Sequence, residues 1–139
     1  MRLMGAVLAM IWIGGCNQPD FNPNLARGAY PYALHTTETL SVEVFREGTD
    51  IVIVNATAES WSDATLWINQ RFSLPIEGLE AGETRKLSLD SFRDDLGESF
   101  PAGGLFATRR SMPVRLVELQ AEEDGPLVGF IAIRQSESQ

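Results

Sequence analysis

From residue 36 to residue 134 the chain never sustains the 3.6-residue apolar period of an amphipathic helix. Its apolar residues come instead in short runs, most of them with period two. Leu40, Val42 and Val44 alternate with Ser41 and Glu43, the pattern of a half-buried strand. Ile51-Val52-Ile53-Val54 is apolar on both faces and β-branched throughout, which suits a central strand. Ala64, Leu66 and Ile68 alternate with Thr65 and Trp67 to give a third. Phe72, Leu74 and Ile76 give a fourth, and Pro75, which has no amide to donate, assigns it to a sheet edge. Residues 84–89 predict a fifth strand with Leu87 and Leu89 inward. Leu89, Phe92 and Leu96 also fit one short helical turn capped by Asp90, so that stretch stays open between the two. Residues 114–119 and 128–134 complete the set.

Between these runs lie turn signals: Glu47-Gly48, Glu77-Gly78, Ala81-Gly82, the stretch 94–104 with Gly97, Pro101, Gly103 and Gly104, and the acidic hairpin tip Glu122-Glu123-Asp124-Gly125-Pro126. Short strands separated by Gly, Pro and Asp turns predict an all-β fold, an antiparallel β-sandwich of about seven strands. We place that domain at residues 30–135 and expect residues 136–139 to fray.

The first sixteen residues read differently. Arg2 is their only charge, residues 3–13 are apolar, and the run closes on Ile13-Gly14-Gly15-Cys16. An apolar core of about eleven residues is short of the roughly twenty that span a bilayer and matches a secretory signal peptide. Ile13-Gly14-Gly15-Cys16 resembles the lipobox of bacterial lipoproteins: aliphatic, small, small, cysteine. The resemblance implies a signal-peptide helix over residues 1–15, cleavage after Gly15, lipid on the sulfur of Cys16, and acylation of the new amino terminus. Cys16 is the only cysteine, so no internal disulfide competes for it. The resemblance further implies a lipid-anchored protein of the bacterial cell envelope that faces the periplasm or exterior. Asn17, where lipoproteins kept at the inner membrane commonly carry aspartate, leans towards the outer membrane. Residues 17–29, with two prolines and a glycine, predict a tether that reaches roughly 40 Å when extended, on which Phe21 and Leu25 could dock.

Residues 51–100 carry a looser likeness. Ile53-Val54-Asn55-Ala56-Thr57, Trp67-Ile68-Asn69, Leu79-Glu80-Ala81-Gly82-Glu83-Thr84 and the run 87–92 resemble small immunoglobulin-like domains of bacterial envelope lipoproteins. In such domains a strand ends in asparagine, a second carries an aromatic residue, and a glycine turn with Glu and Thr leads onward. The resemblance implies an immunoglobulin-like sandwich and brings no catalytic residue with it.

Without residues 1–15, ten Lys and Arg face nineteen Asp and Glu, a formal charge of −9. Such a domain repels nucleic acid and anionic headgroups, and nucleic-acid binding is not expected. Arg109-Arg110 is the one arginine pair and reads as a solvated turn. His35 is the only histidine and sits at the entry to the first strand. With no HExxH, CxxC, G-x-S-x-G or phosphate-loop spacing, we expect no catalytic residue, no metal site and no cofactor. The carboxylates Asp90, Asp94, Asp95 and Glu98 read as a charged turn, or alternatively as oxygen donors for calcium. Asn55-Ala56-Thr57 fits a glycosylation sequon that bacteria rarely read. Trp67 is assigned to the core. Trp61, among Glu59, Ser60 and Ser62, is expected in an exposed loop as a possible ligand contact. The expected role is non-enzymatic: an interaction or structural protein held at the membrane through Cys16, with an envelope protein as possible partner. The alternative is a carbohydrate- or calcium-binding module.

Overall fold

The computed structural model describes residues 21–134. Seven strands form: β1 (His35–Glu47), β2 (Asp50–Asn55), β3 (Trp61–Ile68), β4 (Phe72–Leu79), β5 (Thr84–Ser88), β6 (Val117–Gln120) and β7 (Leu127–Ile133). They make one sheet in the order β4-β3-β6-β7-β1-β2-β5, curled until it is nearly a barrel. The described residues hold three 3₁₀ turns, Pro23–Leu25, Tyr32–Leu34 and Leu89–Ser91, and no α-helix.

Every pair is antiparallel except β1 with β7, so the expectation of a purely antiparallel sheet is corrected to a mixed one. The cause is the length of β1. Its thirteen residues are enough to pair with β7 along much of their length while the second half also pairs with β2. Irregularities between His35 and Thr39 and between Thr39 and Glu43 let one strand serve both neighbours.

Strand spacing and burial follow the period-two reading closely. Val42, Val44, Ile51, Ile53, Leu66, Ile68 and Leu119 are buried in one core with Phe72, Phe92 and Phe100. The Phe72 and Phe100 rings meet edge to face at 5.2 Å. Fully burying one such side chain is worth about 2–3 kcal/mol. Pro75 lies in β4, which is a sheet edge, opposite Thr65.

Four expectations shift. Ile51-Val52-Ile53-Val54 alternates after all: Ile51 and Ile53 are buried, but Val52 and Val54 are half-buried because one face of β2 is not fully covered. The fifth strand stops at Ser88, and Leu89–Ser91 is the short turn, so both readings of that stretch hold in succession; its cap is Ser88 rather than Asp90. Leu87 is only half-buried, whereas Leu89 is fully inside. The sixth strand begins at Val117 because residues 113–116 lie against the turn at Asn69, whose amide donates to the Pro113 carbonyl and whose Oδ1 accepts from the Arg115 and Leu116 amides. The expected tether is docked from Phe21 onward, by backbone rather than by its apolar side chains. The Asn22 amide donates to the Gly97 carbonyl at 3.1 Å and the Arg27 amide to the Asp94 carbonyl at 2.9 Å.

Strand direction sorts the connections into two ends. At one end lie the links after β2 and β4 and the hairpin tip after β6. At the other lie the tight turns at Gly48 and at Asn69-Gln70 and the long connection 89–116. Phe21 bridges to Glu98, so the chain enters the described fold at this second end.

Candidate functional site

A buried group of interacting titratable side chains lies on the face of β3, β6 and β7 turned away from the main core. Alternation along β6 sends Val117 and Leu119 into that core and Glu118 and Gln120 to the opposite side. There the incoming segment crosses the sheet, and Tyr30, Trp67 and Leu127 close a second small cluster with Leu34. The Tyr30 ring meets Trp67 edge-on at 5.4 Å. Glu118 is wholly buried beneath this strap. The Tyr30 hydroxyl donates to its Oε2 at 2.8 Å, and the Nδ1 of His35 lies 2.7 Å from its Oε1. Trp67 donates its indole N–H to Gln120 Oε1 at 3.1 Å, and Gln120 in turn donates to the carbonyls of Glu123 and Gly125. Burial first, and the Glu118 carboxylate second, push the Tyr30 phenol well above its ordinary range, so it stays a neutral donor.

A carboxylate–imidazole pair of this kind fixes the orientation of a histidine ring, as in acid–base and metal sites. Chemistry of the nucleophilic type also needs a hydroxyl or thiol bonded to that imidazole. The hydroxyl at the His35 ring is that of Tyr30, 3.0 Å from Nδ1 and donating to Glu118; among the described residues no Ser, Thr or Cys side chain bonds to His35, and Thr36 donates instead to the Leu127 carbonyl at 2.6 Å. No group of three metal-ligating side chains gathers among the described residues. What the arrangement does visibly is pin the strap to the sheet: Tyr30 and His35 belong to the strap and the start of β1, and Glu118 to β6.

The sequence-assigned residues fall elsewhere. Trp67 is buried, but in the second cluster rather than the main core, because it faces opposite to Leu66 and Ile68. Trp61 is the first residue of β3, half-buried and packed on the main core, so the expected exposed loop is corrected to a strand end. Of the acidic run, Asp94 is fully buried and takes up Arg71 at 2.7 Å, while its Oδ1 accepts from the Leu96 and Glu98 amides at 3.0 and 2.8 Å. Glu98 reaches the same guanidinium at 2.9 Å. Burial alone would raise the Asp94 carboxyl, but Arg71 and the two amides outweigh it and hold it below the usual range. Arg109 donates to the Ser99 carbonyl and approaches Glu98, so it belongs to this network rather than to a solvated turn. Asn55 is buried and satisfied on every side: it donates to the Glu59 and Glu80 carbonyls and accepts from Thr57 twice. Cys16 and Gly15 lie outside the described residues, as do the expected signal helix and the tail 136–139.

Sequence reasoning missed the Tyr30–His35–Glu118 group. Glu118 sits among Val117, Leu119 and Val114, and a lone acid on the buried face of a strand reads as a solvent-facing residue of an alternating pattern. The usable signal was Glu118 and Gln120 together on a four-residue strand with no open face.

A second feature is the connection 101–116, whose first part, residues 101–109, lines an open cleft of about 400 Å³ with Asp90, Arg93, Ser99 and Phe100. Its root is clamped. Arg46 donates to the Ala102 carbonyl at 2.6 Å, to Ser111 Oγ at 2.8 Å and to the Met112 carbonyl. Gly103 and Gly104 both carry positive φ, and a side chain at Gly103 would press on Ser111 at 3.0 Å. Beyond that clamp Leu105 and Phe106 are 92% and 91% exposed.

No family model, curated protein or solved structure matches the chain.

Proposed function

We propose that the protein is a lipid-anchored bacterial envelope protein with a non-enzymatic interaction or structural role. The observation that carries this is Ile13-Gly14-Gly15-Cys16 behind an apolar run, followed after four residues, 17–20, by the first residue of a docked strap. On this reading Cys16 bears the lipid, Gly15 is the residue before the cut, and the domain faces the periplasm or exterior, with Asn17 leaning towards the outer membrane. The revised tether is short: residues 16–20 reach at most about 18 Å. The domain is therefore held against the bilayer rather than suspended far above it, where an envelope protein partner would meet it.

The finer fold we infer is the immunoglobulin-like sandwich. Its support is the strand order, in which β1 joins a β4-β3-β6-β7 group to a β2-β5 pair, and the single core shared by inward residues of both groups. The carbohydrate- or calcium-binding alternative has less support, since Trp61 packs on the core and Asp94 is engaged by Arg71.

Intact-mass analysis of the protein purified from membranes tests the anchor. The expected species begins at Cys16 and carries diacylglyceryl and amide-linked acyl mass, and Cys16→Ser abolishes both additions. A species with a free Cys16 thiol, or one cut elsewhere, contradicts the reading.

A further inference from the structure

We propose that the end of the domain bearing residues 103–110 is a phospholipid-docking surface, with Leu105 and Phe106 entering the bilayer to which Cys16 is tethered. The inference rests on the lipid-anchored reading and adds the orientation of the domain and the residues that touch lipid.

Three observations converge on it. The first is exposure: Leu105 and Phe106 stand at 92% and 91%, above every other large apolar side chain among the described residues, the next being Tyr32 at 69% and Leu96 at 60%. An adjacent, fully exposed Leu-Phe pair on a tip whose root is buried and clamped is a wedge presented to an apolar phase. Phe100 and Ala102 are inside the core and Arg46 holds both legs of the connection, so the tip is displayed on a fixed base.

The second is charge. The whole chain carries a formal −8, yet residues 101–117 contain three arginines, Arg109, Arg110 and Arg115, and no Asp or Glu. Arg110 and Arg115 are exposed and form no ion pair among the described residues. Guanidinium groups flanking an apolar tip meet headgroup phosphates as the tip enters the acyl boundary.

The third is reach. The strap enters at the same end as this connection, through the Phe21–Glu98 bridge and the Asn22–Gly97 hydrogen bond. Glu98 lies 3.8 Å from Arg109. Phe21, Leu25 and Leu96, at 48%, 41% and 60% exposure, add apolar surface there. A tether of at most about 18 Å brings this end, rather than the hairpin tip at residues 121–126, to the bilayer.

The test uses the full-length lipidated protein reconstituted into vesicles of phosphatidylethanolamine and phosphatidylglycerol whose acyl chains are brominated. Phe106→Trp and, at the opposite end, Ala121→Trp are compared, with the parent protein subtracted to remove Trp61 and Trp67. The expected result is quenching of Trp at position 106 about threefold stronger than at position 121, as for a side chain inserted several ångströms below the headgroups. Equal or weaker quenching at 106, in protein that still floats with the vesicles, overturns the docking surface while leaving the anchor intact, and points the exposed pair towards a protein partner. Protein that fails to float contradicts the anchor itself. Leu105→Ser/Phe106→Ser serves as the second variant: because both side chains are almost wholly exposed, it folds, and it abolishes the quenching advantage of a Trp placed at Ala107.

Discussion

The two ends of the sheet solve the same problem in opposite ways. Where β2 leaves the sheet, short links are stapled by Asn55, which binds the chain at Thr57, Glu59 and Glu80 in one buried node. At the other end the long connection 89–116 is equally well fixed at its root, by Arg46, Arg71 and Asp94, but then lifts Leu105 and Phe106 into solvent. At the first end the Asn55 side chain is buried and fully paired. At the second, a fixed base carries an unfixed apolar tip. A rigid scaffold with an exposed apolar pair is how folds display contact surfaces.

The contrast breaks most easily at the root of the connection. Phe100→Ala removes a fully buried ring from the core and is expected to cost about 3–5 kcal/mol in urea unfolding; a loss under 1 kcal/mol would mean the connection is not part of the core. Asn55→Ala leaves two carbonyls and a Thr57 amide without their partner and is expected to cost about 2–3 kcal/mol by the same measurement.

Acid and alkali separate the two ionisable anchors. The Asp94 carboxyl is held below its ordinary 3.8, so its stabilisation is present above that value and fades as pH falls through the lower, folded value. Acid unfolding is expected to begin below about pH 4 and to shift upward in Arg71→Ala. Tyr30 runs the other way. Its phenol is raised above 10, so its contribution is intact below pH 10 and is lost as pH rises towards the folded value. Tyr30→Phe is expected to be less stable at neutral pH and to lose the alkaline step. The smallest effect belongs to the tip: Leu105→Ser/Phe106→Ser is expected to change stability by no more than about 0.5 kcal/mol, since neither side chain is buried.

How far these features were legible in the sequence follows from which interactions are local. The strands were legible because alternation in Leu40-Val42-Val44 or Ala64-Leu66-Ile68 is written into adjacent residues, and Pro75 marks its own edge. The parallel β1–β7 pairing was not, since it depends on where a thirteen-residue strand meets a partner 88 to 92 positions later. The Glu118 lock joins residues 83 and 88 positions apart and has no local signature. Docking of the strap was expected through Phe21 and Leu25, but it uses the backbone amides of Asn22 and Arg27, which composition does not reveal. Asn55, singled out as a strand end, was legible as a marker, though not as a fourfold staple.

Hydrogen exchange on the lipidated protein, compared between detergent and vesicles, tests the contrast between the ends most directly. The account predicts added protection on vesicles at residues 103–110 and 21–25, with residues 56–60 and 121–126 unchanged. Protection gained at residues 56–60 and 121–126 instead, with the Leu105-Phe106 tip unchanged, would contradict it.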